Sequence, residues 1–203
     1  GCRDQAAADD GLNMETMHVM VREAVGQIPP QRLLRDEDRE AIRRHQERLL
    51  ALGPEVAQGL EEVLYSRLPE GADPSREDLE RWWGRTVTGS WDDDYLVWMA
   101  FIGLVHVTKG AANPMMLAAS DHVVQLVVDA LVRSEIPDEE RWALLDAVGR
   151  LAGTVRVVIA WSHERAVSTA LYEAAGMPEG LLARLRDQEV GAFLGRARAE
   201  LNL

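Results

Sequence analysis

Trp98-Met99-Ala100-Phe101-Ile102-Gly103-Leu104-Val105-His106-Val107 is an apolar run that carries a single histidine, and the acidic cluster Asp92-Asp93-Asp94 precedes it. The run lacks the polar–apolar alternation of a half-buried strand. An imidazole held among such neighbours has lost water around a group that titrates near neutrality. It needs a hydrogen bond, a charge or a metal in compensation. A satisfied core histidine and a metal ligand both meet that requirement, and the first is the commoner case.

Outward from this stretch the pattern is helical almost throughout. Val, Leu and Ile recur at spacings of three and four, which places them on single helix faces. The spacing predicts helices over 16–25, 36–52, 55–68, 75–88, 92–107, 114–134 and 138–173, then a short final amphipathic helix ending near 201. Pro29-Pro30, Gly53-Pro54, Pro69 to Pro74, Gly89, Gly110 with Pro114, Pro137, and Gly176-Met177-Pro178 supply the breaks. Asp36 or Asp38 is positioned to cap the second helix, and Ser75 with Asp78 matches a capping box. The Asp92 cluster reads as a helix N-terminus rather than a cation loop, because Asn and Gly at loop-forming offsets are missing. Val123–Val128 and Val155–Ile159 have strand propensity, but each lies in an uninterrupted span too long for a strand. Gly149 and Gly153, four apart, predict close approach of another helix. The expected class is all-α.

At 203 residues the chain is expected to hold one domain with extensions, and 47% hydrophobic residues are enough for a sizeable core. The formal charge of -12 argues against a nucleic-acid partner. Arginines recur between 32 and 48, but acidic residues intersperse them as on a solvated helix face. The one cysteine, Cys2, excludes an internal disulfide. No uninterrupted apolar run reaches the length of about 18 that a membrane span needs, and no basic-then-apolar leader is present, so no membrane partner and a cytoplasmic location are expected.

Five histidines remain as candidates: His18, His45, His106, His122 and His163. No two have the i, i+4 spacing of a helical zinc site, and the G-x-S-x-G, P-loop and G-x-G-x-x-G motifs are missing. His18 and His45 are expected at the surface, and His122 and His163 at helix or subunit interfaces. His106 alone is flanked by apolar residues on both sides.

Arg81-Trp82-Trp83-Gly84-Arg85-Thr86, then Ser90-Trp91-Asp92-Asp93-Asp94-Tyr95-Leu96, then Ile102-Gly103-Leu104-Val105-His106 form one gapless series from about Leu79. This series resembles protoglobins and the globin domains of globin-coupled sensors. There an R-W-x-x-x-T helix leads through a short aromatic-Asp turn into an I-G-x-x-H motif whose histidine is the proximal ligand of haem iron. The resemblance implies a globin-like fold with an extra N-terminal helix and a short extra C-terminal helix: an extension over 1–30, a haem-binding globin domain over 31–175, and a helical extension over 176–203. It implies haem b (iron protoporphyrin IX) as cofactor and His106 as the metal ligand. Tyr65 falls at the distal position that hydrogen-bonds bound dioxygen, with Leu64, Leu79, Trp83, Ile102 and Gly103 around the cofactor. Gly103, nearly one turn before His106, is small enough to let the backbone pass close to the porphyrin.

The function so implied is reversible binding of a diatomic gas (O2, CO or NO), in gas sensing or gas binding. Two other classes stay open. One is a haem-free globin-like sensing or scaffold domain, motivated by the short connection from Tyr65 to Leu79 and by only two phenylalanines, Phe101 and Phe193. The other is a haem enzyme of the NO dioxygenase or peroxidase type, for which no dedicated acid or base beyond Tyr65 is visible. A homodimer through the two longest helices, 114–134 and 138–173, is the expected assembly.

Overall fold

A computed structural model describes residues 14–71 and 73–202; Cys2, with the rest of the first 13 residues of the 1–30 extension, lies outside them. The described residues are helical without any strand. In order they form α1 (Met14–Val25), a 3-10 turn (Pro30–Arg32), α2 (Asp36–Arg44), α3 (Gln46–Leu50), α4 (Gly53–Val63), a second 3-10 turn (Tyr65–Arg67), α5 (Arg76–Thr88), α6 (Asp93–Thr108), α7 (Asn113–Val132), α8 (Asp138–Ala175) and α9 (Glu179–Leu201). Two compact units divide within α8, one over 1–163 and one over 164–203.

In the first unit α1 packs on α6, and α4 packs on both α5 and α7. Met99, Ala100, Val127 and Leu144 are fully enclosed in the shared core. α7 is long and apolar enough to cross a membrane by length and composition. Its Ala119, Val123, Val127 and Leu131 recur at helical spacing and are buried in this core, the pattern of a helix with one face inside a bundle.

Several boundaries differ from the sequence expectation. The helix expected over 36–52 breaks at His45, whose backbone (φ -107, ψ 21) ends α2 and opens α3. That break turns the ring inward. His45, expected at the surface, has a side chain only 11% exposed, with Nε2 3.3 Å from the Glu140 carboxylate. Gly53-Pro54, expected as a stop, instead starts α4 with proline in the first turn, where its missing N–H costs nothing. α4 then ends at Val63 rather than continuing to 68, and Tyr65 begins a separate 3-10 turn. Pro69 follows and holds Leu68 extended (ψ 159). The final helix, expected to be short, has 23 residues, so α8 and α9 are the two longest rather than α7 and α8.

Close helix approach occurs at a glycine other than the expected pair. A Cβ on Gly59 of α4 would fall 2.8 Å from Leu126 Cδ1 and 3.2 Å from the His122 ring on α7. Gly149 instead leaves room for Arg32, whose guanidinium lies 3.5 Å from where a Cβ would sit, and Gly153 faces open space.

The start of α2 is tied to the middle of α8 by charge. The N-cap is Arg35, not an aspartate. Asp38 accepts its backbone N–H at 2.8 Å and its guanidinium at 2.9 Å. Arg150 of α8 lies 3.7 Å from Asp38, bonds Asp146 at 3.1 Å, and donates to the Gln31 carbonyl. Asp38 is only 2% exposed. Desolvation pushes its carboxyl up, but the hydrogen bonds and charge of Arg35, with Arg150, outweigh it and hold the pKa below its ordinary value.

A folded pKa below the unfolded one means the carboxylate stabilises the fold in full above about pH 3.9 and loses that effect as pH falls through the folded value. Asp38→Asn is expected to cost roughly 2 kcal/mol near neutrality, the scale of charge-assisted hydrogen bonds. The deficit, read by urea unfolding, should shrink as pH falls from about 3.9 toward and through the lower folded value; a constant deficit would contradict the assignment.

Candidate functional site

The series from α5 into α6 has a mechanical reading. Ser75 caps α5 with Asp78 in the reciprocal box the sequence signals, and Asp92 caps α6 by accepting the Tyr95 N–H at 3.0 Å. Between the helices Trp91 adopts φ 52, a conformation costly for a bulky side chain. Its indole offsets that strain by being 4% exposed and donating to the Thr86 carbonyl at 2.7 Å. Tyr95 adds a weaker bond to the Thr86 hydroxyl at 3.4 Å, and the Arg85 guanidinium lies 4.0 Å from the Trp98 ring centroid. Trp83 Nε1 donates to the Leu49 carbonyl at 2.7 Å. The Trp91, Tyr95 and Arg85 contacts set the angle at which α6 leaves α5, and the Trp83 bond ties α5 to α3.

α6 carries His106 to a cavity of about 350 Å³ in the first unit. His106, Tyr65, Leu64, Leu79, Trp83, Ile102 and Gly103 all line it. Leu64, Tyr65, Leu79 and Trp83 are between 4% and 7% exposed. The sequence reading did not nominate the far wall, which α7 supplies through Met116, Val123 and Val127 and α8 through Leu151, Val155 and Ile159. The signal was present as the apolar stripes of those helices, but a stripe alone does not say whether it faces side chains or a cavity. Gly103 faces α8 rather than open space. Its nearest atoms are those of Ile159, 3.5 Å from where a Cβ would sit. His122 packs over Gly59, and the described lining does not include it.

The polar centre of the cavity is a pair. Tyr65 Oη lies 2.7 Å from His106 Nε2, and His106 Nδ1 lies 2.7 Å from the Ile102 carbonyl one turn back. A carbonyl only accepts, so Nδ1 carries the proton. Nε2 is then the bare nitrogen, and the tyrosine hydroxyl donates to it. The rings are tilted at 39° with centroids 5.7 Å apart.

Both groups are held neutral. Burial pushes the Tyr65 phenol up to about 12, with a smaller contribution from the negative charge of Asp73. Burial holds the His106 pKa below its ordinary 6.5; the Ile102 carbonyl opposes this in part, and Lys109 adds to it. The arrangement therefore offers one unprotonated imidazole nitrogen in an apolar pocket, covered by a phenol. An imidazole with its second nitrogen fixed on a carbonyl is the usual form of a histidine ligand.

No family model matches the chain, and no curated protein matches it.

In protein prepared without added cofactor, His106 is expected as the Nδ1–H tautomer at neutral pH, charging only below pH 6.5. Its 15N shifts check this directly. A protonated Nε2 at pH 7 would contradict the bonding just described.

Proposed function

We propose that this chain is a haem-binding domain of the globin type that binds a diatomic gas, O2, CO or NO; His106 would hold the iron through Nε2, and Tyr65 would offer the gas a hydrogen-bond donor. The observation that carries this reading is the bare Nε2 of His106, fixed in tautomer by Ile102 and directed into an apolar cavity. Among the described residues no group of three His, Cys, Asp or Glu side chains is placed to hold an ion. A metal at His106 must then arrive with most of its own ligands, as it does in a porphyrin. The cavity residues fit such a group: aliphatic and tryptophan side chains suit a flat apolar ring.

Bound haem supplies a Lewis-acidic iron with affinity for diatomic gases. The chain's own contributions follow from the site. His106 gives its Nε2 electron pair, and the Ile102 carbonyl holds the ring in orientation and raises its basicity. The apolar lining excludes water, so the Tyr65 hydroxyl acts in a medium where a hydrogen bond to partial negative charge is strong. Such a bond favours O2, which accepts charge, over CO.

One observation favours the haem-free alternative. At 2.7 Å the Tyr65–His106 bond closes the axial space, and a flat ring reaches Nε2 only once it opens. Titration with hemin decides between the two. The expected result is a one-to-one complex with the Soret spectrum of histidine-ligated haem, and His106→Ala loses that spectrum even where it still takes up hemin. Identical behaviour of wild type and His106→Ala, or colourless protein throughout, would return the chain to the haem-free class.

A second copy of the chain is the proposed partner, and cytoplasmic placement belongs to the same reading. In the second unit α9 has no buried residue among those described and exposes Leu185, Val190, Phe193 and Leu194. Sedimentation is expected to show a dimer at micromolar concentration, which Phe193→Ser with Leu194→Ser reduces to monomer. A monomeric wild type would remove this part of the proposal.

A further inference from the structure

The tyrosine that covers His106 occupies the position a metal must take. Tyr65 Oη and the incoming metal compete for the same electron pair on Nε2, and the two cannot be satisfied together at a 2.7 Å separation. The two partners are not equally anchored. His106 sits inside α6, with Nδ1 tied to Ile102 and the helix continuing to Thr108. Tyr65 sits outside α4, at the start of a three-residue 3-10 turn. The turn is held by Arg67 N–H to Leu64 O and Leu68 N–H to Tyr65 O, each at 3.1 Å. Bonds of this geometry are poorer than those of an α-helix. Moving the Tyr65 turn disturbs these two bonds and the Ser66 hydroxyl bond to the Glu62 carbonyl, whereas moving the backbone at His106 would disturb the regular hydrogen bonding of α6.

We propose that Tyr65 is the gate of this pocket: in the cofactor-free chain its hydroxyl stands in for the metal on His106 Nε2, and loading of any planar tetrapyrrole requires that bond to break and the 3-10 turn to move. The proposal rests on the porphyrin reading of the pocket and adds a role for Tyr65 before any gas is bound. The gate also keeps the empty pocket coherent. With the bond closed, the hydroxyl and Nε2 satisfy each other, and neither is left unpaired among apolar side chains.

This role separates from the gas-facing one, because it acts on a ring that carries no metal. Metal-free protoporphyrin IX gains nothing from Nε2 and bears the full cost of opening the gate. Removing the gate from either side should then help it. Tyr65→Phe and His106→Ala are each expected to bind metal-free protoporphyrin about tenfold tighter than wild type, the scale of one buried hydrogen bond. Their double variant should gain little more than either alone, since both remove the same bond. Hemin should respond asymmetrically, binding faster to Tyr65→Phe and losing its axial bond in His106→Ala.

Fluorescence titration of the metal-free porphyrin against the four proteins, with circular dichroism to confirm helix content, tests the gate. Equal or weaker porphyrin binding by both single variants overturns the gate even if hemin still ligates through His106. Failure of all four proteins to bind either porphyrin overturns the gate together with the haem reading.

Discussion

An imidazole inside an apolar helix has two nitrogens and one proton to share between them, and each nitrogen needs a partner. In this chain the proton goes to Nδ1 because the Ile102 carbonyl is 2.7 Å away and accepts. Everything at the site follows from that allocation. Nε2 becomes the acceptor that faces the cavity, Tyr65 becomes its donor, and the pair stays uncharged because burial disfavours the charged form of each. Had the proton gone to Nε2, the same histidine would present a donor to the cavity and no electron pair for a metal. The carbonyl one turn back is thus as consequential as the ring it holds.

The allocation is useful only if α6 arrives at a fixed angle, and that is the task of the α5–α6 junction. Trp91 adopts a backbone conformation that bulky residues avoid, and it is retained by burial and by its bond to the Thr86 carbonyl. Gly89 is needed in the same turn, because a Cβ there would lie 3.0 Å from the Arg85 carbonyl oxygen. α1 closes the other side of α6, and Trp161 of α8 reaches Glu23 of α1 at 3.2 Å. The leading helix is in this sense part of the site's support.

Local signals in the sequence carried well. The Ser75–Asp78 box and the Asp92 cap form as their spacing implies, because both depend on residues within one turn of each other. All-α character followed from long periodic runs for the same reason. What the sequence concealed was set by partners far along the chain. His45 reads as a surface residue among charges, yet a helix break aims it at Glu140. Gly149 and Gly153 look like a helix contact, whereas the close contact forms at Gly59, which has no matching glycine to advertise it. The site residues could be nominated one by one, but the direct bond between Tyr65 and His106 spans 41 residues and has no local signature.

A cavity of about 350 Å³ is itself an argument about function. Interiors are close-packed, and voids created in cores cost on the order of 24 cal/mol per Å³. Even after allowance for an open mouth, holding this space costs several kcal/mol on that scale. A chain that only needed a stable bundle could fill it by enlarging lining residues such as Val123 or Val127. The space persists beside an imidazole whose Nδ1 proton is held by the Ile102 carbonyl and whose second nitrogen faces Tyr65. A ligand that fills the apolar volume stabilises the fold as it binds. The hydrogen bond at the centre decides which ligands do so: those able to replace a phenol proton on Nε2 recover what opening the pocket costs, and the rest do not.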